Sequence, residues 1–419
     1  MGATLKEIVF KGDHVPVIFE EGNYLPIVSM QLVFQNAGHL SNTKDGLADM
    51  AAKLLNEGTA KDGSVGFATK LDAHAVEISA QVGRESFVIE VSALKSEFAY
   101  AVARLEELLK DPNYTEDALK QIKHQKIGWL MHKKSDFDYI AATTLRATLF
   151  KDSALGQPYD GTLESIETIS LEEIKAFIAS HLGYNNVIGV VGGDITFEEA
   201  NIYVSRVLSL LPKVTVKEEQ TIAVSAKKET VLTAEDTQQA YIYFGAPFYF
   251  SYQEKDQYLA KIAEYLLGGA GFGSRLMEEI RVKRGLTYGA YASLRRTKPV
   301  SYLSGYLQTK LKTQDEAKDL VQQVVDDFVK EGITQKELDE TKKFLLGSEP
   351  LRTETLSQRL NRAYDDYFYG RPLGFTQAQL KKIEAVTLDE INQFIASHTE
   401  LSDITFSIVT QKDANAIEK

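Results

Sequence analysis

The chain has 419 residues, with 47 Lys and Arg against 59 Asp and Glu, no Cys and 44% hydrophobic residues. This length and apolar content exclude a disordered protein and predict two or more folded cores. The net charge of -12 argues against the basic surface that nucleic acid or an anionic membrane requires. Without Cys, any chemistry must use His, carboxylates, hydroxyls, Lys or Arg.

The sequence carries no clear targeting signal. It has no apolar run of about 18 residues, so no membrane-spanning helix is expected. The opening residues MGATLKEIVFKG lack the apolar stretch of a signal peptide. A chain whose signal had been removed would look the same. A bacterial periplasmic or secreted location and a cytoplasmic one therefore both remain open.

Strand and helix patterns alternate along the chain. Residues 27–38, IVSMQLVFQNAG, predict a strand that runs into a turn, and residues 46–58, GLADMAAKLLNEG, predict a helix that ends at a glycine. Residues 213–230 are polar and charged without helical periodicity, which predicts a linker. We therefore expect a first domain over 1–212, a linker over 213–230 and a second domain over 231–419.

The two halves of the chain resemble each other. Residues 166–181, IETISLEEIKAFIASH, recur 217 positions later as IEAVTLDEINQFIASH over 383–398. Two further pairs fit a similar offset: YTEDALKQIK with ITQKELDETK, and MQLVFQNAG with AYIYFGAPF. Repetition of this kind predicts two copies of one unit built from both strands and helices.

A short motif in the first half resembles the zinc-binding helix of a peptidase family. Residues 46–59 read GLADMAAKLLNEGT, similar to the Gly-Leu-Ala-His-x-x-Glu-His pattern of the inverzincin (pitrilysin/insulinase, M16) metallopeptidases. The resemblance places Asp49, Ala52 and Lys53 where that family has its two zinc-binding His and its catalytic Glu. It places Trp129 at the third zinc ligand, and an indole has no lone pair to offer a metal.

The resemblance continues into the second half of the chain. Residues 266–294, LLGGAGFGSRLMEEIRVKRGLTYGAYASL, look like the family's glycine-rich segment, helix and strand. Arg281 and Tyr288, seven positions apart, match the residues that family members aim at a zinc site in their other half or in a partner chain. There they stabilise the negative charge that develops on a peptide carbonyl oxygen. The resemblance implies that Arg281 and Tyr288 contact substrate.

The family implies an α+β fold of two homologous α/β domains. Each would have a mainly antiparallel sheet with helices on one face, and together they would form a half-shell. It also implies a function: this chain is the metal-free subunit of a heterodimeric zinc peptidase that acts on unstructured peptides. The partner, of similar length, would carry His-x-x-Glu-His and the zinc, and no metal is expected in this chain. The alternative is a non-enzymatic scaffold or peptide-binding protein with the same fold.

The glycine-rich loop has more than one interpretation. Gly269, Gly271 and Gly273 could touch peptide, because glycine allows close backbone approach. The same glycines could instead only end a helix and form a flexible turn. Nucleotide binding is disfavoured, because the loop does not follow a strand and lacks a Gly-Lys-Ser/Thr ending. Asp49 and Lys53, spaced i and i+4, are expected to form a local ion pair.

Overall fold

The structure, a computed structural model, describes residues 2–218 and 220–411. The predicted linker includes Glu219 and the predicted domains include Met1 and residues 412–419, which lie outside the described residues. The described chain forms two compact units. Unit 1 comprises the chain up to Leu130 together with Pro158–Glu218 and Leu351–Phe368, and unit 2 comprises the remaining described chain.

Strands and helices alternate as the sequence predicts. The strands are β1 (Thr4–Phe10), β2 (Asp13–Glu21), β3 (Ile27–Gln35), β4 (Glu77–Val82), β5 (Ser86–Leu94), β6 (Val187–Gly193), β7 (Thr230–Glu235), β8 (Gln239–Pro247), β9 (Ala290–Arg296), β10 (Ser301–Lys310) and β11 (Thr405–Gln411). The first helices are α1 (Leu47–Leu55), α2 (Gly63–Asp72), α3 (Lys95–Lys110), α4 (Glu116–Lys133), α5 (Phe137–Leu149), α6 (Leu163–Thr168), α7 (Leu171–His181) and α8 (Phe197–Leu208). The later ones are α9 (Gln257–Glu264), α10 (Gln314–Glu331), α11 (Gln335–Gly347), α12 (Leu356–Phe368), α13 (Phe375–Ala385) and α14 (Leu388–Ser397).

The five strands of the unit 2 sheet follow the same order as five strands of the unit 1 sheet, which has β1 as an additional edge strand. The sheet of unit 1 has the order β1-β2-β6-β3-β5-β4, and the sheet of unit 2 has the order β7-β11-β8-β10-β9. In each sheet one pair is parallel, β2 with β6 and β7 with β11, and the other pairs are antiparallel. The repeated segments 166–181 and 383–398 occupy α6–α7 and α13–α14. The α+β fold and the duplication predicted from the sequence are confirmed.

Each sheet buries one face in a hydrophobic core. In β3, Val28, Met30, Leu32 and Phe34 are buried against the helices of unit 1, while the intervening Ser29 belongs to the other face. The same alternation recurs in β8, where Ala240, Ile242, Phe244 and Ala246 enter the core of unit 2. Period-two alternation is what a strand requires in order to place its apolar side chains on one side.

One helix of each unit packs on the opposite sheet face. In unit 2, α5 contacts β8 and β11, and Leu149 fills the space above Gly245 on the face away from the core. In unit 1, α12 contacts β2 and β6, with Leu360 above Gly192. Each unit thus includes one helix from the other half of the sequence. The predicted boundaries, a first copy over 1–212, a linker over 213–230 and a second copy over 231–419, stay a prediction.

Residues 213–218 and 220–229 form no helix or strand. Across the part of the chain that the structure describes, no helix is both long and apolar enough to cross a membrane.

Candidate functional site

Helix α1 carries three of the positions that the zinc motif would occupy. The Asn42 side chain accepts a hydrogen bond from the Ala48 N–H at 2.8 Å and so caps the first turn. Apolar residues bury most of the helix against α7 and β4. Asp49 lies on the edge of this buried surface with a side chain that is 23% exposed. Ala52, the predicted position of the family's base, is buried and has only a methyl side chain.

A lysine ammonium is at the centre of this site. Lys126, on α4, is only 5% exposed, and its Nζ lies 2.9 Å from Asp49 Oδ2. The contact is mainly electrostatic, because that oxygen has no hydrogen bond of favourable geometry. A second carboxylate, Asp160 Oδ1, lies 3.9 Å from the same ammonium. The burial of Lys126 therefore depends on nearby negative charge, as buried cations generally require.

Trp129 joins the same cluster. It lies one turn after Lys126 on α4, and the ammonium is 4.2 Å from the centroid of its ring. This distance is typical of a cation–π interaction, in which the negative face of the ring attracts the cation. The structure thus brings two of the predicted motif positions, Asp49 and Trp129, together around Lys126. These three residues and Asp160 are called the Lys126 cluster below.

These residues do not fit a zinc ion. Zinc requires three or four donors such as imidazole, thiolate or carboxylate, and here a buried ammonium would repel the metal. Within residues 2–218 and 220–411, no group of three or more His, Asp or Glu side chains could hold a metal. The predicted ion pair between Asp49 and Lys53 is wrong, because the Asp49 carboxylate pairs with Lys126 on another helix.

Arg281 lies in a π-helical turn of unit 2, Met277–Val282. Such turns are wider than an α-helix and are frequent at functional sites. Just after this turn, the Gly285 N–H donates to the Arg281 carbonyl at 2.9 Å. Among the described residues, no carboxylate lies within ion-pair distance of the Arg281 guanidinium. The neighbouring Arg284, by contrast, pairs with Glu279 at 2.8 Å.

Tyr288 lies in the turn between this π-helical segment and β9, and it is 89% exposed. The backbone on both sides is fixed. Thr309 Oγ1 donates to the Leu286 carbonyl at 2.6 Å, and the Thr287 hydroxyl bonds both the carbonyl and the N–H of Gly289. The phenol itself has no hydrogen-bond partner in the described chain. Tyr288 therefore presents a free donor from an ordered turn.

The glycine-rich loop lies next to Arg281. The Arg281 guanidinium carbon is 4.5 Å from the ring centroid of Phe272, which is 68% exposed. Gly271 and Gly273 on either side have φ angles of +59° and +104°, a backbone conformation that favours glycine. Gly269 is packed more closely, because a Cβ there would lie 3.0 Å from the Glu264 carbonyl oxygen.

Two models of known protein families match most of this chain. Residues 17–162 match the family model described as Insulinase (Peptidase family M16), and residues 168–345 match the model described as Peptidase M16 inactive domain. The chain belongs to the M16 peptidase family. Its sequence contains no His-x-x-Glu-His motif.

One relative is named as a non-peptidase. The chain is 43% identical over 399 residues to a protein of Helicobacter pylori called "Non-peptidase homolog YmxG", covering 95% of this chain and 92% of that one. The structure of a peptidase M16 inactive domain from Pseudomonas fluorescens matches with a TM-score of 0.89 and 24% identity, over 97% of this chain and 98% of that one. A chain of complex III2 from Candida albicans matches with a TM-score of 0.76 and 17% identity, over 98% and 96%. The two structural matches show the fold alone.

Sequence reasoning missed two residues of these sites. Lys126 is one of several lysines on a helix that looks solvent-exposed, and only its spacing of three from Trp129 could have pointed to a shared helix face. Phe272 is the other, and no motif of the sequence marks it. An aromatic residue between two glycines was the signal available.

Proposed function

We propose that this chain is the metal-free subunit of a two-chain zinc peptidase and supplies Arg281 and Tyr288 to a partner's active site. The observation that carries the proposal is the contrast between Arg281 and Arg284. Both are arginines of one short segment, yet Arg284 is engaged by Glu279 while Arg281 has no carboxylate partner in the described chain. An arginine held beside an aromatic ring without a counter-ion is available to a ligand.

The chemistry of Arg281 and Tyr288 suits peptide hydrolysis. When a peptide carbonyl is attacked, negative charge develops on its oxygen, and fixed donors aimed at that oxygen lower the barrier. A guanidinium offers several in-plane N–H groups, and a phenol offers one O–H. The fixed backbone around Tyr288 limits the reorganisation needed when substrate arrives.

The Lys126 cluster supports a complex in which a second chain supplies the metal and this chain does not. In place of metal ligands, α1 and α4 have an internal ion pair, so this chain contributes no metal site from its M16 motif. The metal would have to come from a second M16 chain with an intact His-x-x-Glu-His motif. Substrates would be unstructured peptides, which can extend along a strand edge.

Capture and reconstitution test the proposal. The tagged chain, purified from a native extract, is expected to bring down a protein of similar length with His-x-x-Glu-His. Purified separately, each chain should leave a fluorogenic unstructured peptide nearly intact, and a 1:1 mixture should cleave it. A partner that is equally active alone would contradict the proposal, and so would recovery of this chain only as a homodimer.

A non-enzymatic scaffold is the second candidate. The Lys126 cluster favours it, since a charge-satisfied former metal site is also what a purely structural protein would contain. The name of the Helicobacter pylori relative agrees with this alternative. A scaffold has no need for an unpaired Arg281 and an exposed Tyr288, so substitution of these residues distinguishes the two candidates.

A further inference from the structure

The exposed ring of Phe272 lies beside the Arg281 side chain. Arg281 has a long side chain with many rotamers, and holding such a chain in one conformation normally costs conformational entropy. Its guanidinium carbon lies 4.5 Å from the Phe272 ring centroid. We propose that Phe272 is a positioning residue that holds the Arg281 guanidinium ready for substrate. This inference rests on the function proposed above.

The geometry of a cation–π contact explains why a ring suits this role. The ring attracts the guanidinium through its face, while the N–H groups that bond a substrate lie in the guanidinium plane. A carboxylate partner would instead occupy those N–H groups. Phe272 can therefore hold the cation without competing with a peptide oxygen for its donors.

The loop that carries Phe272 is built to keep the ring in place. Ser274 is fully buried, and its hydroxyl donates to the Gly271 carbonyl at 3.0 Å. The Ser274 N–H donates to the same carbonyl at 3.1 Å. These two hydrogen bonds fix the backbone on both sides of Phe272. The positive φ angles of Gly271 and Gly273 set the backbone direction at Phe272, and a larger residue at either position would be strained.

A ring that is 68% exposed needs an explanation other than core packing. Phe272 is absent from the hydrophobic core of unit 2, so its removal should barely affect folding. Tyr249 provides a matched control. It is an aromatic residue of the same unit, 69% exposed, and its ring has no aromatic or cationic partner among the described residues.

The first test uses the full chain alone and does not depend on any partner. In an NMR spectrum of the side-chain N–H groups of arginine, the ring current of Phe272 should displace the Arg281 Nε–H resonance. Phe272→Ala should move that resonance toward the position typical of free arginine, and Tyr249→Ala should leave it in place. An Arg281 resonance unchanged by Phe272→Ala would overturn the inference.

The second test uses the reconstituted two-chain complex. Phe272→Ala should lower kcat/KM by roughly 2- to 5-fold, as expected for loss of an exposed cation–π contact. Phe272→Tyr and Phe272→Trp, which keep a ring, should restore it, and Tyr249→Ala should have no effect. In an Arg281→Ala background, Phe272→Ala should cause no further loss, because the ring acts through the arginine.

Failures of the two proposals are distinguishable. If Arg281→Ala itself leaves turnover intact, the proposed function fails, whatever the NMR result. If Arg281→Ala abolishes turnover but Phe272→Ala does not lower it, only the positioning role fails. An equal Phe272→Ala effect with and without Arg281 would also overturn the positioning role, since the ring would then act independently.

Discussion

The Lys126 ammonium lies 2.9 Å from the Asp49 carboxylate and 4.2 Å from the centre of the Trp129 ring. The resemblance to the M16 zinc motif predicts that Asp49 and Trp129 lie at zinc-ligand positions of that family, and in this chain a buried ammonium lies beside both. A metal would link the two helices through its ligands. Here the ion pair links α1 to α4 in its place.

Loss of the buried ammonium should destabilise unit 1. Lys126→Met keeps the length of the side chain but leaves the Asp49 carboxylate without its close cation. The expected loss is about 3 kcal/mol, at the lower end of the range for buried pairs because Asp49 keeps some exposure. Trp129 is the chain's one tryptophan and belongs to this cluster. Tryptophan fluorescence during urea unfolding therefore reports on unit 1.

Lys175→Met is the matched control for Lys126→Met. Lys175 pairs with Glu172 on the surface of α7, where the two side chains are 40% and 82% exposed. Exposed pairs of this kind contribute less than about 1 kcal/mol. Equal effects of the two substitutions would show that the Lys126 cluster does not stabilise the unit.

Lys126 should also prevent the site from regaining a metal. A variant with Asp49→His, Ala52→Glu, Lys53→His and Trp129→Glu restores the family ligands and base but keeps the ammonium beside them. Zinc should bind it at least about 10-fold more weakly than a variant that also carries Lys126→Ala, because like charges repel at this distance. Calorimetric titration with zinc measures the difference. Equal affinities would mean that Lys126 does not occupy the metal position.

The repeated segments carry matching helix caps that predict acid sensitivity. Ser170 and Thr387, 217 positions apart, each cap a helix and bond to Glu173 and Glu390 in return. Backbone N–H donation from the cap residue is the main cause that lowers the pKa of each glutamate below its ordinary value of 4.5. Their stabilising contribution is therefore complete above about pH 4.5 and is lost as pH falls through the lower folded-state pKa.

Substitution at the caps tests this directly. Ser170→Ala and Thr387→Ala should each lower the free energy of unfolding by about 1 kcal/mol at neutral pH. Glu173→Gln and Glu390→Gln should flatten the stability profile as pH falls below about 4.5. Glu172→Gln, in the same helical turn but without a backbone N–H bond, should not. An unchanged acid profile in both Gln variants would refute the assignment.

The phenol of Tyr288 gives a further prediction in the reconstituted complex. Tyr288→Phe removes only the hydroxyl, and since the side chain is 89% exposed the fold should not change. Loss of one donor to the developing charge typically costs about 2.7–4 kcal/mol, or 10²- to 10³-fold in kcat. Tyr249→Phe, at a similarly exposed ring, should leave kcat unchanged. A KM effect without a kcat effect would indicate that Tyr288 binds substrate but does not stabilise the transition state.

The sequence revealed those parts of the fold that repeat. The cap residues and buried apolar positions of 166–181 recur in 383–398 because both segments perform the same structural task. The exchange of α5 and α12 between the units was not predictable, because helical periodicity shows that a helix has an apolar face but not which sheet it covers. The burial of Lys126 was not predictable for a related reason. It depends on Asp49 and Asp160, which are distant from Lys126 in sequence.

The proposed role of Arg281 is tested by mixing the Arg281→Ala chain with the His-x-x-Glu-His partner and comparing its activity with that of the Arg284→Ala chain. Both substitutions remove a guanidinium from one short segment, but only Arg281 is without a carboxylate partner in the described chain. If Arg281 contacts substrate, Arg281→Ala should lower kcat by roughly 10²- to 10³-fold, and Arg284→Ala should change it little. Full turnover in the Arg281→Ala complex would contradict the account.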